Sequence, residues 1–183
     1  WSEVNETDLK QAGFSRTIGL SYMALGENPP DWRVRGDLKI ERVLDATQMD
    51  VFSNVQSRGF RETQEDFEDW HPWLRAANHR NLQNSNQSFY VGSLAGEAVG
   101  VVLTVTDGEN VGIYAVATLA NHRKKGISAT IMRQAVKEAK AKGCALITLQ
   151  VKQDSYVEDF YRHLGFKRVF TTSMYRRNEK KGK

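Results

Sequence analysis

Arg123-Lys124-Lys125-Gly126-Ile127-Ser128 lies between an apolar run, Val111 to Thr118, and a stretch of helical periodicity, Ile127 to Lys142. The order is a strand, a short basic turn with one glycine, then a helix. Chains build anion sites in this way. The first amides of a helix have no partner within it and point outward, and the aligned peptide dipoles add partial positive charge at that end. Gly126 lets a ligand approach the backbone, while Arg123, Lys124 and Lys125 supply full charges. A diphosphate would be held there chiefly by main-chain N–H groups. The same residues also suit a solvated loop that does no more than start a helix. Neither common phosphate signature, G-x-x-x-x-G-K-[ST] or G-x-G-x-x-G, is present.

Working outward, the stretch before the turn reads as a meander. Ser88–Ser93 and Val99–Val105 alternate as strands, and Asp107-Gly108-Glu109-Asn110 forms a hairpin signal into the strand carrying Ile113 to Thr118. After the turn, Ile127, Ile131, Ala135 and Ala139 share one helical face, and Lys142-Gly143 ends the helix. Ala145–Val151 then reads as a buried strand. Asp154 or Ser155 caps a helix running through Leu164, and Phe166–Tyr175 is a last long strand.

Two segments from these flanks resemble a known family. Ile113-Tyr114-Ala115-Val116-Ala117-Thr118, followed by Asn121-His122 and the basic turn, resembles the acyl-CoA signature of the GNAT N-acetyltransferases. Tyr161-Arg162-His163-Leu164-Gly165-Phe166 resembles the family's second signature, the Y-x-x-x-G-F that ends its last helix. The resemblance spans about Leu38 to Arg176. One position departs from it: the pattern Arg/Gln-x-x-Gly-x-Gly/Ala closes here on Ser128, which is small enough to keep the turn open.

The resemblance implies an α/β fold with a mixed, mostly antiparallel twisted sheet and helices on both faces. It implies direct transfer of an acetyl group from acetyl-CoA to a primary amine of a small molecule or peptide, with no metal. Backbone at Val116, Ala117 and Thr118 would meet the pantetheine arm. Arg123, Lys124, Lys125, Gly126, Ile127, Ser128 and Ala129 would hold the diphosphate. Tyr161 would act as general acid toward the departing thiolate, a task that suits a phenol with a pKa near 10. It also fits as an aromatic filling the core. Many family members carry a Glu on the signature strand as base. Here that strand has no carboxylate; Glu109 stands at its entrance and Tyr114 along it, and neither is assigned as base.

The rest of the chain sets the boundaries. Residues 37–176 form the main domain, opening with a strand at Leu38–Val43. Ala46–Arg58 follows as a helix with Asp45 as candidate N-cap, then Thr63–Ala77 as a second helix kinked or broken at Pro72. Phe67, Trp70, Trp73 and Leu74 make an apolar stripe on that helix, expected in the core. Residues 1–36 read as an N-terminal extension. Gly13 closes a helix, and a strand follows with Ile18, Leu20, Tyr22 and Ala24 on one face. Helix end, Gly-Phe, basic residue and strand recur at Leu164–Arg168, so the extension is expected to be the tail of a degenerate first copy of the unit; a chance match explains the recurrence as well. Trp1 opens the chain without Met, as a processed end or the start of a fragment would.

Length and composition, 183 residues with 40% hydrophobic and 26% charged, suit one soluble domain. The single cysteine, Cys144, fits a reducing, cytoplasmic setting, and no run has the length of a membrane span. His71 and His79 lack metal-ligand spacing. Five cations and one anion from Arg176 onward account for the net charge of +4, so 177–183 reads as a basic disordered tail and a nucleic-acid face on the body is not expected. Two rivals to the enzyme are an acyl-CoA-binding module without turnover and an RNA- or ribosome-associated factor using the tail.

Overall fold

Strand residues alternate between two buried faces, and each face needs its own helices. In the computed structural model, which describes residues 5–60 and 63–178, this demand is met by α2 on one side, with α3 packed outside it, and by α4 and α5 on the other. In chain order the elements are α1 (Glu6–Gln11), β1 (Phe14–Leu25), β2 (Lys39–Arg42), α2 (Ala46–Phe60), α3 (Gln64–Arg80), β3 (Gln87–Leu94), β4 (Glu97–Asp107), β5 (Asn110–Thr118), α4 (Ile127–Ala141), β6 (Leu146–Lys152), α5 (Tyr156–His163) and β7 (Phe166–Arg177). They form one mixed sheet in the order β2-β3-β4-β5-β6-β1-β7. Tyr90, Val102 and Ile113 join the core under α4, while Phe89, Val91, Val101 and Ala117 pack with Met49, Phe52 and Val55 of α2.

Every neighbouring pair is antiparallel except β5 and β6. That parallel ladder is short. It ends at Ile113 opposite Leu149, although β5 continues to Thr118 and β6 to Lys152. A β-bulge causes the parting. Leu103 pairs with Tyr114 and Val101 with Ala117, so Ala115 and Val116 together face one residue of β4. Ala115 takes φ 50°, a left-handed conformation costing a non-glycine residue about 1–2 kcal/mol. A bulge bends its strand and ends pairing locally, and here it opens a gap between the C-terminal ends of the one parallel pair among the described strands.

Several sequence expectations need correction. β1 is a full twelve-residue strand seated between β6 and β7, and its buried side chains are Ser21 and Met23. The apolar set Ile18, Leu20, Tyr22 and Ala24 shares one face, as expected, and that face is the half-exposed one, where Tyr22 stacks on Phe170 at 4.3 Å. α3 runs unbroken through Pro72, and its apolar stripe is not core, since Trp70 and Trp73 are 43% and 61% exposed. The reason is that α3 packs on the outer face of α2, which is polar. Asn78 donates to Ser53 and Gln56, Ser57 bonds His71, and Asp50 takes Arg75 and His79 at 2.6 Å each. Arg75 and His79 hold the Asp50 carboxyl down to about 2. β7 extends to Arg177, so the expected tail loses its first residue to the sheet, and its residues 179–183 lie outside the described residues.

Candidate functional site

The gap sits where α/β proteins most often bind ligands, outside the carboxyl ends of neighbouring parallel strands. β5 leads from it through a 3₁₀ turn at Ala120–His122 to α4. β6 leads from it to α5. Gly126 opens α4 with φ 76°, a conformation glycine adopts without strain. No side chain caps this helix. The other four α-helices among the described residues all have one: Asn5, Asp45, Thr63 and Ser155 accept from the amides of Asp8, Gln48, Asp66 and Glu158. The first amides of α4, at Ile127, Ser128 and Ala129, are therefore left to an external acceptor.

The cations of the turn divide by role. Arg123 is half-buried and donates to the carbonyls of Thr118, at 3.3 Å, and Gly59, at 3.0 Å. Gly59 is among the last residues of α2, so Arg123 caps that helix end and ties it to the turn. Gly59 must be glycine there, because a Cβ would lie 2.7 Å from that of Ala117. Lys125 donates to Asn121 O at 2.9 Å. Lys124, exposed and at φ 61°, has no bonded partner among the described residues. Ser128, the departure from the signature, bonds Thr118 side chain to side chain at 2.6 Å. Its hydroxyl thereby joins the end of β5 to the first turn of α4 and stays clear of the opening.

Val116, Ala117 and Thr118 form the stretch of β5 that has left β6, so the backbone edge they turn toward the gap is free of ladder bonds to that strand. Tyr161 lies on α5, 6% exposed, in the same core cluster as Ile113 and Leu149, the last paired residues at the fork. Its ring sits 5.9 Å from that of Phe166, edge to face, and its hydroxyl has no hydrogen-bond partner among the described residues. Burial pushes its pKa up to about 12, so the phenol keeps its proton at neutral pH.

The structure separates the two residues considered beside a base. Glu109 is in the β4–β5 turn, at the end of β5 remote from the gap, where its carbonyl holds Ala145 and Leu146. Tyr114 stands at the fork with its ring folded over Gly112 and 40% of its surface exposed. Sequence reading missed Gly59 and Arg35. Arg35 reaches the turn from 90 residues away, and its amide donates to Thr130 Oγ1 at 3.0 Å. No group of three or more His, Cys, Asp and Glu side chains suited to a metal occurs among the described residues.

With this geometry in place, comparison with known proteins identifies the class. The model of the Acetyltransferase (GNAT) family matches residues 50–166, more than half of the chain, and the protein belongs to that family. No curated protein matches the sequence. Among solved structures, a GCN5-related N-acetyltransferase from Kribbella flavida superposes with TM-score 0.67 at 16% identity, over 92% of this chain and 62% of its own. A PaiA N-acetyltransferase from Thermoplasma acidophilum, in complex with coenzyme A, gives TM-score 0.58 at 19% identity over 70% and 90%. The ribosomal-protein-S18-alanine N-acetyltransferase from Escherichia coli gives 0.59 at 14% over 71% and 77%. The chain thus spans somewhat less than two thirds of the Kribbella protein, and these likenesses concern the fold.

Proposed function

We propose that this protein moves an acetyl group from acetyl-CoA directly to a primary amine on a small molecule or peptide. One observation carries the reading: the only α-helix start without a side-chain cap among the described residues lies beside a gap between diverging parallel strands, in a chain of acetyltransferase family. A diphosphate fits there because it supplies the acceptors that the first amides of α4 lack. The edge of Val116, Ala117 and Thr118 would receive the pantetheine amides, orienting the thioester. Arg123, Lys124 and Lys125 would act unequally. Lys124 lends charge, while Arg123 and Lys125 stiffen the turn. Tyr161, protonated and without a bonded partner, would donate to the departing thiolate. The proton on the amine would leave through water or be absent on arrival, since β5 carries no carboxylate.

That last point favours a second reading, a module that binds acyl-CoA without turning it over. Release of free thiol from acetyl-CoA, followed across a panel of small amines and peptide N-termini, separates the two. The expected outcome is amine-dependent thiol release. Tyr161→Phe should lower kcat roughly ten- to hundredfold, the worth of a hydrogen bond to a charged group, with the KM for acetyl-CoA little changed. CoA binding without release on any amine would establish the module instead.

We also infer that residues 1–36 descend from a second copy of the unit. Gly13 at φ 82° joins α1 to β1, and Gly165 at φ 89° joins α5 to β7. The two strands, twelve residues each, pair antiparallel from Phe14 opposite Arg177 to Leu25 opposite Phe166. A cytoplasmic setting is supported by the single cysteine, Cys144, which is buried and unpaired.

A further inference from the structure

Between β1 and β2 the chain crosses the α4 side of the sheet as an irregular strap, residues 31–37, and this strap reaches the turn before α4. Trp32 anchors it: the indole is buried, and Nε1 donates to Leu164 O at 2.8 Å. Arg33 O then passes 3.8 Å from where a Cβ on Gly126 would stand, and Arg35 Cγ passes at 3.9 Å. Arg35 makes two ties there. Its backbone amide donates to Thr130 Oγ1 at 3.0 Å, and that hydroxyl donates to Gly126 O at 2.8 Å. Its guanidinium reaches Lys125 O at 3.4 Å while forked onto Asp37 at 3.0 and 2.6 Å.

The consequence follows from peptide geometry. In a trans peptide the C=O and the next N–H point in opposite directions, and the described chain contains no cis bond. Drawing Lys125 O toward Arg35 aims Gly126 N–H away from the strap. Drawing Gly126 O toward Thr130 aims Ile127 N–H out of the helix start. Both carbonyls are held on the inner side, so both amides are presented together at the opening. Asp37 holds the guanidinium there through both carboxylate oxygens.

We propose that Arg35, held by Asp37 and aided by Thr130, is a positioning residue for the cofactor turn, and that the strap sets the affinity for the diphosphate of CoA before the ligand arrives. This rests on the acyl-CoA reading above and adds to it a determinant outside the signature. Preorganised donors avoid the ordering cost that a free loop meets on binding. Arg35 thus acts through backbone it holds, and its own charge is partly neutralised by Asp37. Arg33 supplies the control: it is an exposed cation on the same strap, with no bonded partner among the described residues.

The test is calorimetric titration of CoA into the full chain and its Arg33→Ala, Arg35→Ala and Thr130→Val variants, at about 0.05 M and 0.5 M salt. Over that range the screening length falls from about 14 Å to about 4 Å. Arg35→Ala should weaken binding about tenfold at both salts, because lost positioning is not screened. Thr130→Val should weaken it about three- to tenfold, the worth of one or two hydrogen bonds, and equally insensitively to salt. Arg33→Ala should cost about twofold at low salt and nothing at high salt. In turnover, Arg35→Ala should raise the KM for acetyl-CoA and leave kcat alone. An Arg35→Ala affinity equal to the parent's, or a loss erased by salt as for Arg33→Ala, overturns the proposal. If Arg35→Ala does not fold, Thr130→Val decides by the same criterion. Failure of the parent itself to bind CoA would instead sink the acyl-CoA reading, and this inference with it.

Discussion

β5 and β6 run side by side in the same direction, and each delivers the chain at its C-terminal end to a helix, yet the two helix starts are finished in opposite ways. At α5 the protein fills the site itself. Ser155 accepts from the amide of Glu158, and the Glu158 carboxylate turns back to accept from the amide of Asp154 at 2.6 Å, a reciprocal arrangement related to the capping box. The amide taken is that of the residue before the cap, one position earlier than in a standard capping box. The Glu158 carboxylate is fully buried and takes Arg168 through both oxygens, at 2.7 and 2.8 Å, with Arg162 at 3.0 Å. At α4 there is no cap, no acid in the first turn, and a glycine where the cap would be. One start carries an internal anion; at the other the first amides are left without one. The same physics of unpaired amides serves stability at the first and, in the proposed function, binding at the second.

If that division is right, damage at α5 should appear in stability and damage at α4 in binding. The largest effect expected is from Glu158→Gln. Removing one partner from a buried, hydrogen-bonded ion pair leaves Arg168 and Arg162 short of a counter-charge, and about 3 kcal/mol of stability should be lost at neutral pH. The effect on CoA affinity should be small. The pH dependence has a definite sign. Arg168 hydrogen bonding, ahead of all other influences, holds the Glu158 carboxyl down to about 2, below its ordinary 4.5. Its contribution is therefore fully present above about pH 4.5 and is lost as pH falls toward 2. Urea unfolding at pH 7, 4 and 3 should show a shallower acid decline in Glu158→Gln than in the parent. Some decline remains, because Asp50 is also held down to about 2. An equal acid slope in both proteins would remove Glu158 from the internal-anion role.

The second effect in size is on the other side of the comparison. Gly126→Val places a branched side chain at φ 76°, where L residues are strained, between the strap and the helix start at which the proposed diphosphate would bind. CoA affinity should fall by at least about a hundredfold, combining backbone strain with lost approach, in a protein that still unfolds cooperatively. Affinity equal to the parent's would mean that the ligand, if any, lies elsewhere.

How much of this contrast could be read from the residues alone depends on how local each feature is. The turn, its glycine, the strand before it and the helix after it are contiguous, and their order in the sequence is their order in space. The capping pair Ser155 and Glu158 is just as local, three residues apart. Arg35 was not legible, because Trp32-Arg33-Val34-Arg35-Gly36-Asp37 has neither period nor motif and meets the turn only through the tertiary route of the strap. The bulge at Ala115 was hidden for another reason: no glycine or asparagine marks its left-handed residue. The error over α3 had a readable remedy. Asp50, Ser53 and Ser57 on one helix and His71, Arg75 and Asn78 on the next fall at helical spacing, so two polar faces could have been matched. The four apolar residues of α3 drew the reading away from them.

The smallest effect expected tests how the open helix start works. Were full charge the main attraction, each lysine of the turn should matter, and Lys124 most, since Lys125 is tied to Asn121 O and Arg123 to Gly59 O and Thr118 O. An exposed cation, however, contributes little in water, and salt screens it. Amides held at the mouth of a helix sit against the ligand and are largely beyond screening. Lys124→Ala should therefore weaken CoA binding only about two- to threefold at low salt and leave it unchanged at high salt. Substitution by alanine also removes a long side chain from a residue at φ 61°, a conformation alanine tolerates no better, so backbone strain cancels from the comparison. A loss from Lys124→Ala as large as that from Gly126→Val would shift the weight of the site from main chain to side chain, and the contrast between α4 and α5 would then be one of charge and not of capping.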